Sequence, residues 1–313
     1  MVISGLVFLG GLGLLLFGLR LLQGGLERAA KPQLQTVLLR LAGNPFNATV
    51  TGVFVTALVQ SSTAVTVLSI GFVNTGLMTL SQAVGIILGA NIGTCLTVQL
   101  MTLDLGNLAP LLLAVGLVLW RTGRRLSPAG QSLAGFGSVF LALELMSVSL
   151  SPLGESIWFQ DLTSGLTGNY LMAAAVGALA TGLLHSSSTS TGVVIALARE
   201  GLIGLPEAVA LILGNNVGTC STALLASLAG STAGKRVALA HLLINLAGAV
   251  ILLPAVPALA ALLPLLGSGI DHQVANAHTV FNVVSSLVIL PFVYPFTRLL
   301  YCVVPGDDYL RMR

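Results

Sequence analysis

Long runs of apolar residues, each followed by a short polar stretch, cover almost the whole chain. Most runs are about 20 residues or longer, which is enough for a helix to cross the hydrocarbon core of a membrane. The segment Leu108–Trp120 is short for a span, and Ala255–Leu266 is broken by two prolines. The pattern predicts membrane segments at Val2–Gln23, Phe46–Val73, Leu80–Leu103, Leu108–Trp120, Ser132–Leu150, Tyr170–Ala198, Leu205–Leu228, Val237–Pro254 and Ala277–Val304.

The composition indicates a protein of the lipid bilayer. Of its 313 residues, 55% are hydrophobic and 7% are charged, whereas about a quarter of the residues of a soluble domain are charged. So few charges leave most of the surface to face lipid. The net charge of +3 reflects lysines and arginines that lie mostly in the predicted loops, and without a basic patch interleaved with aromatics it does not indicate nucleic-acid binding. We therefore expect an all-α integral membrane protein that crosses the cell (inner) membrane several times.

Two of the apolar segments repeat one another. Adding 125 to any position from 56 to 97 gives its partner without a gap, and 19 of these 42 pairs are identical. Composition alone would give roughly four identities, so the chain contains an internal duplication. We predict two membrane repeats, residues 1–125 and 126–313, which together form one transport domain. Duplicated polar clusters in a membrane chain are typical of a substrate site between two repeats.

The basic residues predict which loops face the cytoplasm, because cytoplasmic loops carry an excess of lysine and arginine. The stretch Ser151–Asp161 is the second-half counterpart of the Arg28–Arg40 loop, and it has no basic residue. The same repeat element is thus predicted to face the cytoplasm in one half and the outside in the other, which makes the repeats inverted in topology. The basic residues used are Arg28, Lys31, Arg40, Arg121, Arg124, Arg125, Lys235, Arg236, Arg298, Arg311 and Arg313.

A run of polar side chains lies near the middle of each repeated segment. Gln60–Thr63 stands within Phe46–Val73, and His185–Ser188 stands within Tyr170–Ala198. Hydroxyls facing lipid would be costly, and irregular backbone at membrane depth is tolerated only beside a cavity or a protein interface. We expect each segment to be a re-entrant hairpin or a broken helix, with both breaks meeting at the bilayer midplane. The N–H groups at a break, together with hydroxyl donors, favour a small oxyanion.

A second shared motif follows each hydroxyl run. Gly89–Thr94 and Gly214–Thr219 have the form Gly-x-Asn-(Ile/Val)-Gly-Thr. The glycines are expected to loosen the helix and free its carbonyl groups, while asparagine and threonine add side-chain oxygens. Sodium ions take oxygen ligands of this kind at unwound transporter helices. A single hydroxyl cluster would more often serve helix packing, but four clusters in register favour a binding site.

Other polar residues stand outside these motifs. Arg20 and Glu144 are repeat-equivalent, and three interpretations stay open: a substrate contact, an ion pair across the repeat interface, and, for Arg20, a side chain that reaches the headgroups. His241 and His278 each precede an asparagine by four residues, which favours hydrogen bonds between helices over metal binding. We expect four acidic residues to lie in loops, in contact with water: Asp104, Glu200, Glu207 and Asp271.

The paired motifs resemble those of the type II sodium-dependent inorganic phosphate cotransporter family. Its marks are Gln-Ser-Ser followed by hydroxyl residues in both repeats, with Gly-x-Asn-(Ile/Val)-Gly-Thr downstream, and the similarity covers nearly the whole chain. His278–Asn282 followed by Pro291-Phe292 resembles the family's late helix, and His185 stands where the family pattern has glutamine. Bacterial relatives often continue into a PhoU-like helical domain, which we expect to be lacking here because the sequence ends at Arg313.

The resemblance implies a secondary active transporter that couples sodium ions to the movement of inorganic phosphate by alternating access. Sodium would be the co-transported ion, and the resemblance also allows a homodimer. The phosphate-binding residues that it implies are Gln60, Ser61, Ser62, Thr63, His185, Ser186, Ser187 and Ser188. The sodium-binding residues that it implies are Thr66, Asn91, Thr94, Thr191, Asn216 and Thr219.

Alternatives to phosphate transport stay open. A cage of neutral hydroxyls also fits sodium-coupled carriage of a dicarboxylate or sulfate. An intramembrane serine hydrolase with His185 as its base is disfavoured, because His185 and Ser186 are adjacent and no Gly-x-Ser-x-Gly elbow surrounds a serine. We therefore expect a transporter and not an enzyme.

Overall fold

The computed structural model describes residues 2–228 and 230–306, the side chains of residues 31 and 32 excepted. Three basic residues of the topology prediction are affected. The side chain of Lys31 lies outside this part of the chain, and so do Arg311 and Arg313. Every regular element within it is a helix. The α-helices are α1 (Val2–Leu41), α2 (Pro45–Val59), α3 (Ser62–Asn74), α4 (Leu80–Met101), α5 (Ala109–Arg121), α6 (Ser127–Gly154), α7 (Ile157–Ser164), α8 (Tyr170–Leu184), α9 (Ser187–Arg199), α10 (Leu205–Gly218), α11 (Cys220–Leu228), α12 (Thr232–Leu252), α13 (Val256–Leu262), α14 (Ile270–Ile289) and α15 (Val293–Val303).

Within the described residues, six helices or helix runs are long and apolar enough to cross a membrane. This confirms the prediction of an all-α, multi-pass membrane protein. By contrast, α2 and α8 have 15 residues each, and α3 and α9 have 13 each, fewer than the ~20 that a perpendicular span needs. The six candidate spans are Val2–Ala30, Leu80–Met101, Ser127–Gly154, Leu205–Leu228, Thr232–Leu265 and Ile270–Val303.

Two helices run through stretches that the sequence predicts to be loops. α1 has 40 residues and includes Arg28 and Arg40, while α6 continues through Pro152 and α7 follows shortly after it. The predicted boundaries followed the fall in hydropathy. A helix satisfies most of its backbone hydrogen bonds internally, so it can continue past the apolar stretch with charged side chains in water. The loop prediction was wrong for these stretches.

Glycines let the repeated helices pack backbone against backbone. A Cβ at Gly89 of α4 would overlap the carbonyl oxygen of Thr49 in α2, and a Cβ at Gly214 of α10 would overlap that of Ala174 in α8. α4 is continuous through its glycines, whereas α10 and α11 meet at Thr219. The expectation that glycines loosen the helix is therefore wrong for α4, where they permit close helix contact.

Each broken segment packs in its own apolar core. Buried side chains of α2, α3 and α4 cluster with those of α12 and α15, and buried side chains of α8, α9 and α10 cluster with those of α13 and α14. A third cluster joins α1 to α6. Because α12 and α14 each contact both α4 and α10, these two helices connect the two halves where the polar motifs lie.

Candidate functional site

Both polar runs break a helix at the same position of the repeat. α2 ends immediately before Gln60, and α8 ends immediately before His185. These residues have left-handed backbone, with φ 58° and ψ 26° at Gln60 and φ 53° and ψ 28° at His185. They are the two non-glycine residues with positive φ in the described chain. Such a conformation is costly away from glycine, and it persists where the surroundings impose it.

The first serine of each run caps the helix that follows the break. Ser61 Oγ accepts a hydrogen bond from the N–H of Ala64 at 3.2 Å, and Ser186 Oγ accepts one from the N–H of Thr189 at 3.2 Å. Both serines have extended backbone, as N-cap residues do. The remaining first-turn N–H groups of α3 and α9 have no partner within their own helices, and the helix dipole favours an anion there.

The N-termini of α3 and α9 line one cavity of about 200 Å³. None of the described residues that line it is acidic, and Arg20 of α1 is among them. Gln23, Thr94 and Thr189 also line it, although the sequence analysis did not assign them to the anion site. The cavity brings together all eight residues predicted to bind phosphate: Gln60, Ser61, Ser62, Thr63, His185, Ser186, Ser187 and Ser188.

A second, much smaller chamber of about 10 Å³ adjoins this cavity and shares Ser62, Thr94 and Ser187 with it. Its size suits a single water-sized occupant. The predicted sodium residues Asn91, Thr94, Asn216 and Thr219 line the chamber. So do three residues that the sequence analysis did not assign to a binding site: His241, Asn245 and Asn282.

Two hydrogen bonds across the chamber each join the asparagine of a Gly-x-Asn motif to the asparagine of a His-x-x-x-Asn pair, with the donor reversed between them. Asn91 Nδ2 donates to Asn245 Oδ1 at 3.3 Å, and Asn282 Nδ2 donates to Asn216 Oδ1 at 3.0 Å. The predicted hydrogen bonding between helices is therefore confirmed for both His-x-x-x-Asn pairs. His241 Nδ1 is buried and makes no hydrogen bond among the described residues, which leaves a polar atom available to an occupant. The identical spacing of the two pairs was the sequence signal for their shared role.

The remaining two predicted sodium residues lie elsewhere. Thr66 of α3 and Thr191 of α9 line neither the cavity nor the chamber. Both are fully buried. Thr191 lies beside Asn215, whereas the Thr66 hydroxyl has no hydrogen-bond partner in the described chain.

The side chains at the two breaks point in different directions. Gln60 is buried and donates to the carbonyl of Ala57 in its own helix. His185 is exposed, and its Nδ1 lies 3.3 Å from Thr222 Oγ1 of α11. Because the hydrogen bond of the His185 ring is with Thr222 and not with a serine, the geometry gives no nucleophile–base pair.

A third cavity, of about 430 Å³, lies at the opposite end of α9 and is lined by Asp104, Glu144 and an ion pair between Arg199 and Asp271. Arg20 and Glu144 thus line different cavities, and the ion pair proposed between them is not formed.

The expectation that the acidic residues are simply solvated was wrong at three positions. Asp271 pairs with Arg199. Glu207 is buried and accepts from the N–H of Gly168 at 3.1 Å, and Glu200 accepts from the Ser147 hydroxyl. These contacts join residues far apart in sequence, so the local polarity pattern could not reveal them.

The fold and the site have features typical of a membrane transporter. A helical chain with a polar cavity between two helix breaks suits the passage of a small ion. The chain belongs to the Na+/Pi-cotransporter family, whose model matches residues 14–148 and 155–269. The family consists of transporters and not enzymes, as the sequence analysis predicted.

Several relatives have names that refer to phosphate. The chain is 37% identical over 255 residues to the "Putative inorganic phosphate export protein YjbB" of Escherichia coli, which covers 80% of this chain and 47% of that protein. It is 32% identical over 257 residues to the "Uncharacterized protein YqeW" of Bacillus subtilis, and the match covers 81% of this chain and 84% of that protein. It is 45% identical over 104 residues to the human "Sodium-dependent phosphate transport protein 2C", and the match covers 32% of this chain and 17% of that protein. The chain therefore spans about half the length of the Escherichia coli protein, and no solved structure matches it.

Proposed function

We propose that this protein couples sodium ions to the movement of inorganic phosphate across the membrane by alternating access. The observation that carries the proposal is the convergence of two helix N-termini, those of α3 and α9, on one hydroxyl-lined cavity. The family to which the chain belongs, and the phosphate-related names of two of its relatives, support phosphate as the substrate.

The cavity has the chemistry that an exchangeable anion needs. First-turn N–H groups of two helices and several hydroxyls can donate to the oxygens of a tetrahedral anion. Arg20 adds one positive charge at the wall. The described lining residues include no carboxylate, and the nearby Glu27 contacts the cavity through Ser61. Phosphate held mainly by neutral donors is bound and also released, which a transporter requires.

The small chamber supports the sodium side of the proposal. Its asparagine and threonine side chains supply neutral oxygens, which suit a monovalent cation. Because the chamber shares Ser62, Thr94 and Ser187 with the anion cavity, occupancy of one place changes the geometry and electrostatics of the other. By linkage, sodium then strengthens phosphate binding as much as phosphate strengthens sodium binding.

The positions of the anion cavity and the third cavity support alternating access. α9 begins at Ser187 beside the anion cavity and ends at Arg199 beside the third cavity, and its 13 residues span roughly 20 Å. The two cavities thus lie at the two ends of one helix. A shift of α9 and its partner helices would close one cavity and open the path from the other.

We further propose that residues 1–125 and 126–313 form two inverted repeats, with each broken helix a re-entrant hairpin whose break lies near the bilayer midplane. The equal positions of the two left-handed residues, and the matched asparagine pairs, support this arrangement. Assembly of two copies into a homodimer remains a prediction from the family resemblance.

Transport by purified protein in liposomes tests the function. We expect uptake of radiolabelled phosphate to require an inward sodium gradient and to stop when choline replaces sodium. Ser62→Ala and Ser187→Ala should each reduce uptake by at least about tenfold, because each removes a donor shared by the cavity and the chamber. Ser69→Ala is the matched control, since Ser69 lies in α3 and donates to the carbonyl of Val65, away from both.

Competition by other anions tests the identity of the substrate. Excess sulfate or succinate should leave the uptake of labelled phosphate unchanged. If either anion competes as well as unlabelled phosphate, the protein is a carrier of that oxyanion class. Equal uptake with and without sodium would refute the coupling.

A further inference from the structure

Asn215 holds the second broken helix against its neighbours. It stands in α10, has no exposed surface, and is surrounded by polar atoms of α8 and α9. With its amide turned so that both polar atoms are satisfied, Nδ2 lies 2.9 Å from Ser190 Oγ and 3.1 Å from Thr181 Oγ1. The same nitrogen lies 3.1 Å from the carbonyl oxygens of Gly177 and Leu211. The amide nitrogen therefore has four oxygen atoms within hydrogen-bonding distance of its two N–H groups.

Asn215 also contacts a third hydroxyl. Its other amide atom lies 3.5 Å from Thr191 Oγ1. Thr181 and Thr191 are thus both beside the Asn215 amide, one on each side of the helix break. Neither hydroxyl is among the buried polar atoms without a partner.

The first half has the same threonines but lacks the amide. The repeat offset of 125 pairs Thr181 with Thr56, Thr191 with Thr66, and Asn215 with Ala90. Thr56 has 0% and Thr66 has 1% of its surface exposed. Both hydroxyl oxygens are buried, and neither makes a hydrogen bond within the described chain. Ala90 lacks the amide group that, in the other half, lies beside both equivalent hydroxyls.

The carbonyl oxygens also have first-half counterparts. The offset pairs Gly177 with Gly52 and Leu211 with Ile86. A Cβ at Gly52 would overlap the Ile86 carbonyl oxygen, just as a Cβ at Gly177 would overlap that of Leu211. The close contact between the two helices at this level is therefore present in both halves.

We propose that the oxygens around Ala90, those of Thr56, Thr66, Gly52 and Ile86, bind one sodium ion. The inference rests on the sodium coupling proposed above and adds a site separate from the chamber. All four oxygens are neutral, which suits a monovalent cation, whereas calcium sites draw on carboxylates. The site gives Thr66 the role that the family resemblance implies, and it denies that role to Thr191, which already has the Asn215 amide. The two halves then bind sodium unequally.

The variant Ala90→Asn tests the proposal, because it adds to the first half the same side chain that occupies the place in the second. Binding of ²²Na+ to the purified protein without phosphate should fall by about one ion per chain. The melting temperature of the variant should be higher in sodium-free choline buffer than that of the wild type, and it should rise less on addition of sodium. Phosphate uptake should depend less steeply on the sodium concentration.

A second pair of variants keeps the test decisive if Ala90→Asn does not fold. Thr56→Val removes one ligand with little change of shape, and should raise the sodium concentration for half-maximal stabilisation by about tenfold. Thr49→Val is the matched control, because Thr49 lies in the same helix, is buried, and donates to the carbonyl of Pro45. Its sodium response should equal that of the wild type.

The outcomes separate this proposal from the general function. A wild type that neither binds nor is stabilised by sodium would refute the coupling itself. A wild type that responds to sodium, with Ala90→Asn and Thr56→Val responding identically, would overturn only the site at Ala90. In that case a buried water serves the two threonines, and the chamber alone holds sodium.

Discussion

The two halves of this protein share one backbone break but support it with different side chains. At the break itself, Gln60 folds back onto its own helix, whereas His185 is exposed and bonds with α11. Beside Thr181, Asn215 ties three helices of the second half together, and the first half has Ala90 at the equivalent position. The break and the hydroxyls that face the cavity are common to both halves, while the hydrogen bonds that support the break differ.

The far ends of the two helices after the breaks differ in the same way. α3 ends at Asn74, whose side chain accepts from the hydroxyl of Ser231 at the start of α12. α9 ends at the equivalent residue, Arg199, which forms an ion pair with Asp271 at the start of α14. A neutral hydrogen bond in one half thus corresponds to a charged contact in the other. The comparison teaches that the duplication preserved the geometry of the site and let the surrounding contacts specialise.

The largest expected effect comes from the contact that the halves share most closely, the packing of α2 on α4 and of α8 on α10. Gly89→Ala and Gly214→Ala should each destabilise the protein by about 1–3 kcal/mol or more, because the new methyl group meets a backbone carbonyl oxygen. Gly182→Ala is the control, since a Cβ there meets no atom within 4 Å and the first half already has Ala57 at that position. Unfolding in detergent measures all three, and equal stability of the three variants would contradict the close packing.

An intermediate effect is expected at the breaks. Gln60→Val and His185→Val should each cost about 1–2 kcal/mol of unfolding free energy, because a β-branched residue resists the left-handed backbone. Gln60→Gly and His185→Gly should be at least as stable as the wild type, since glycine adopts that conformation without a steric penalty. Thermal unfolding of the four variants gives the measurement. A valine that is tolerated in only one half would show that the two backbones differ.

The smallest effect is expected at the ends of α3 and α9. Arg199→Gln should lower stability by at most about 1 kcal/mol, because the ion pair with Asp271 is partly exposed to solvent. The loss should shrink as choline chloride raises the ionic strength, since salt screens the pair in the wild type. Asn74→Ala in the first half should show no such dependence. A salt-independent loss at Arg199 would mean that the pair acts through packing and not through charge.

Much of the candidate site could be predicted from the sequence because the relevant signals are local. A serine that caps a helix, a polar run inside an apolar segment, and a glycine-rich motif all lie within a few consecutive residues. The duplication then presented each signal twice at one offset, which separated Ser61 and Ser186 from ordinary packing serines. These signals pointed to eight anion residues, and all eight line one cavity.

The parts that the sequence did not predict depend on partners far away in the chain. Asn91 and Asn245 are 154 residues apart, and no local pattern indicates that they meet. The roles of the glycines in α4, and of Asp271, likewise depend on which helix lies opposite. The predicted end of α1 was wrong for a different reason. Hydropathy indicates where the chain leaves the lipid, and the helix continues beyond that point.

The sequence by itself determined that this is a helical membrane protein with a duplicated polar motif, since hydropathy, backbone preference and helix capping are properties of neighbouring residues. The tertiary structure alone decided that α12 and α14 complete the chamber, and that the buried threonines have an amide partner in one half and none in the other. The physical reason is that hydrogen bonds and close packing depend on atoms brought together by folding, and two sequences related by duplication can surround the same backbone with different neighbours.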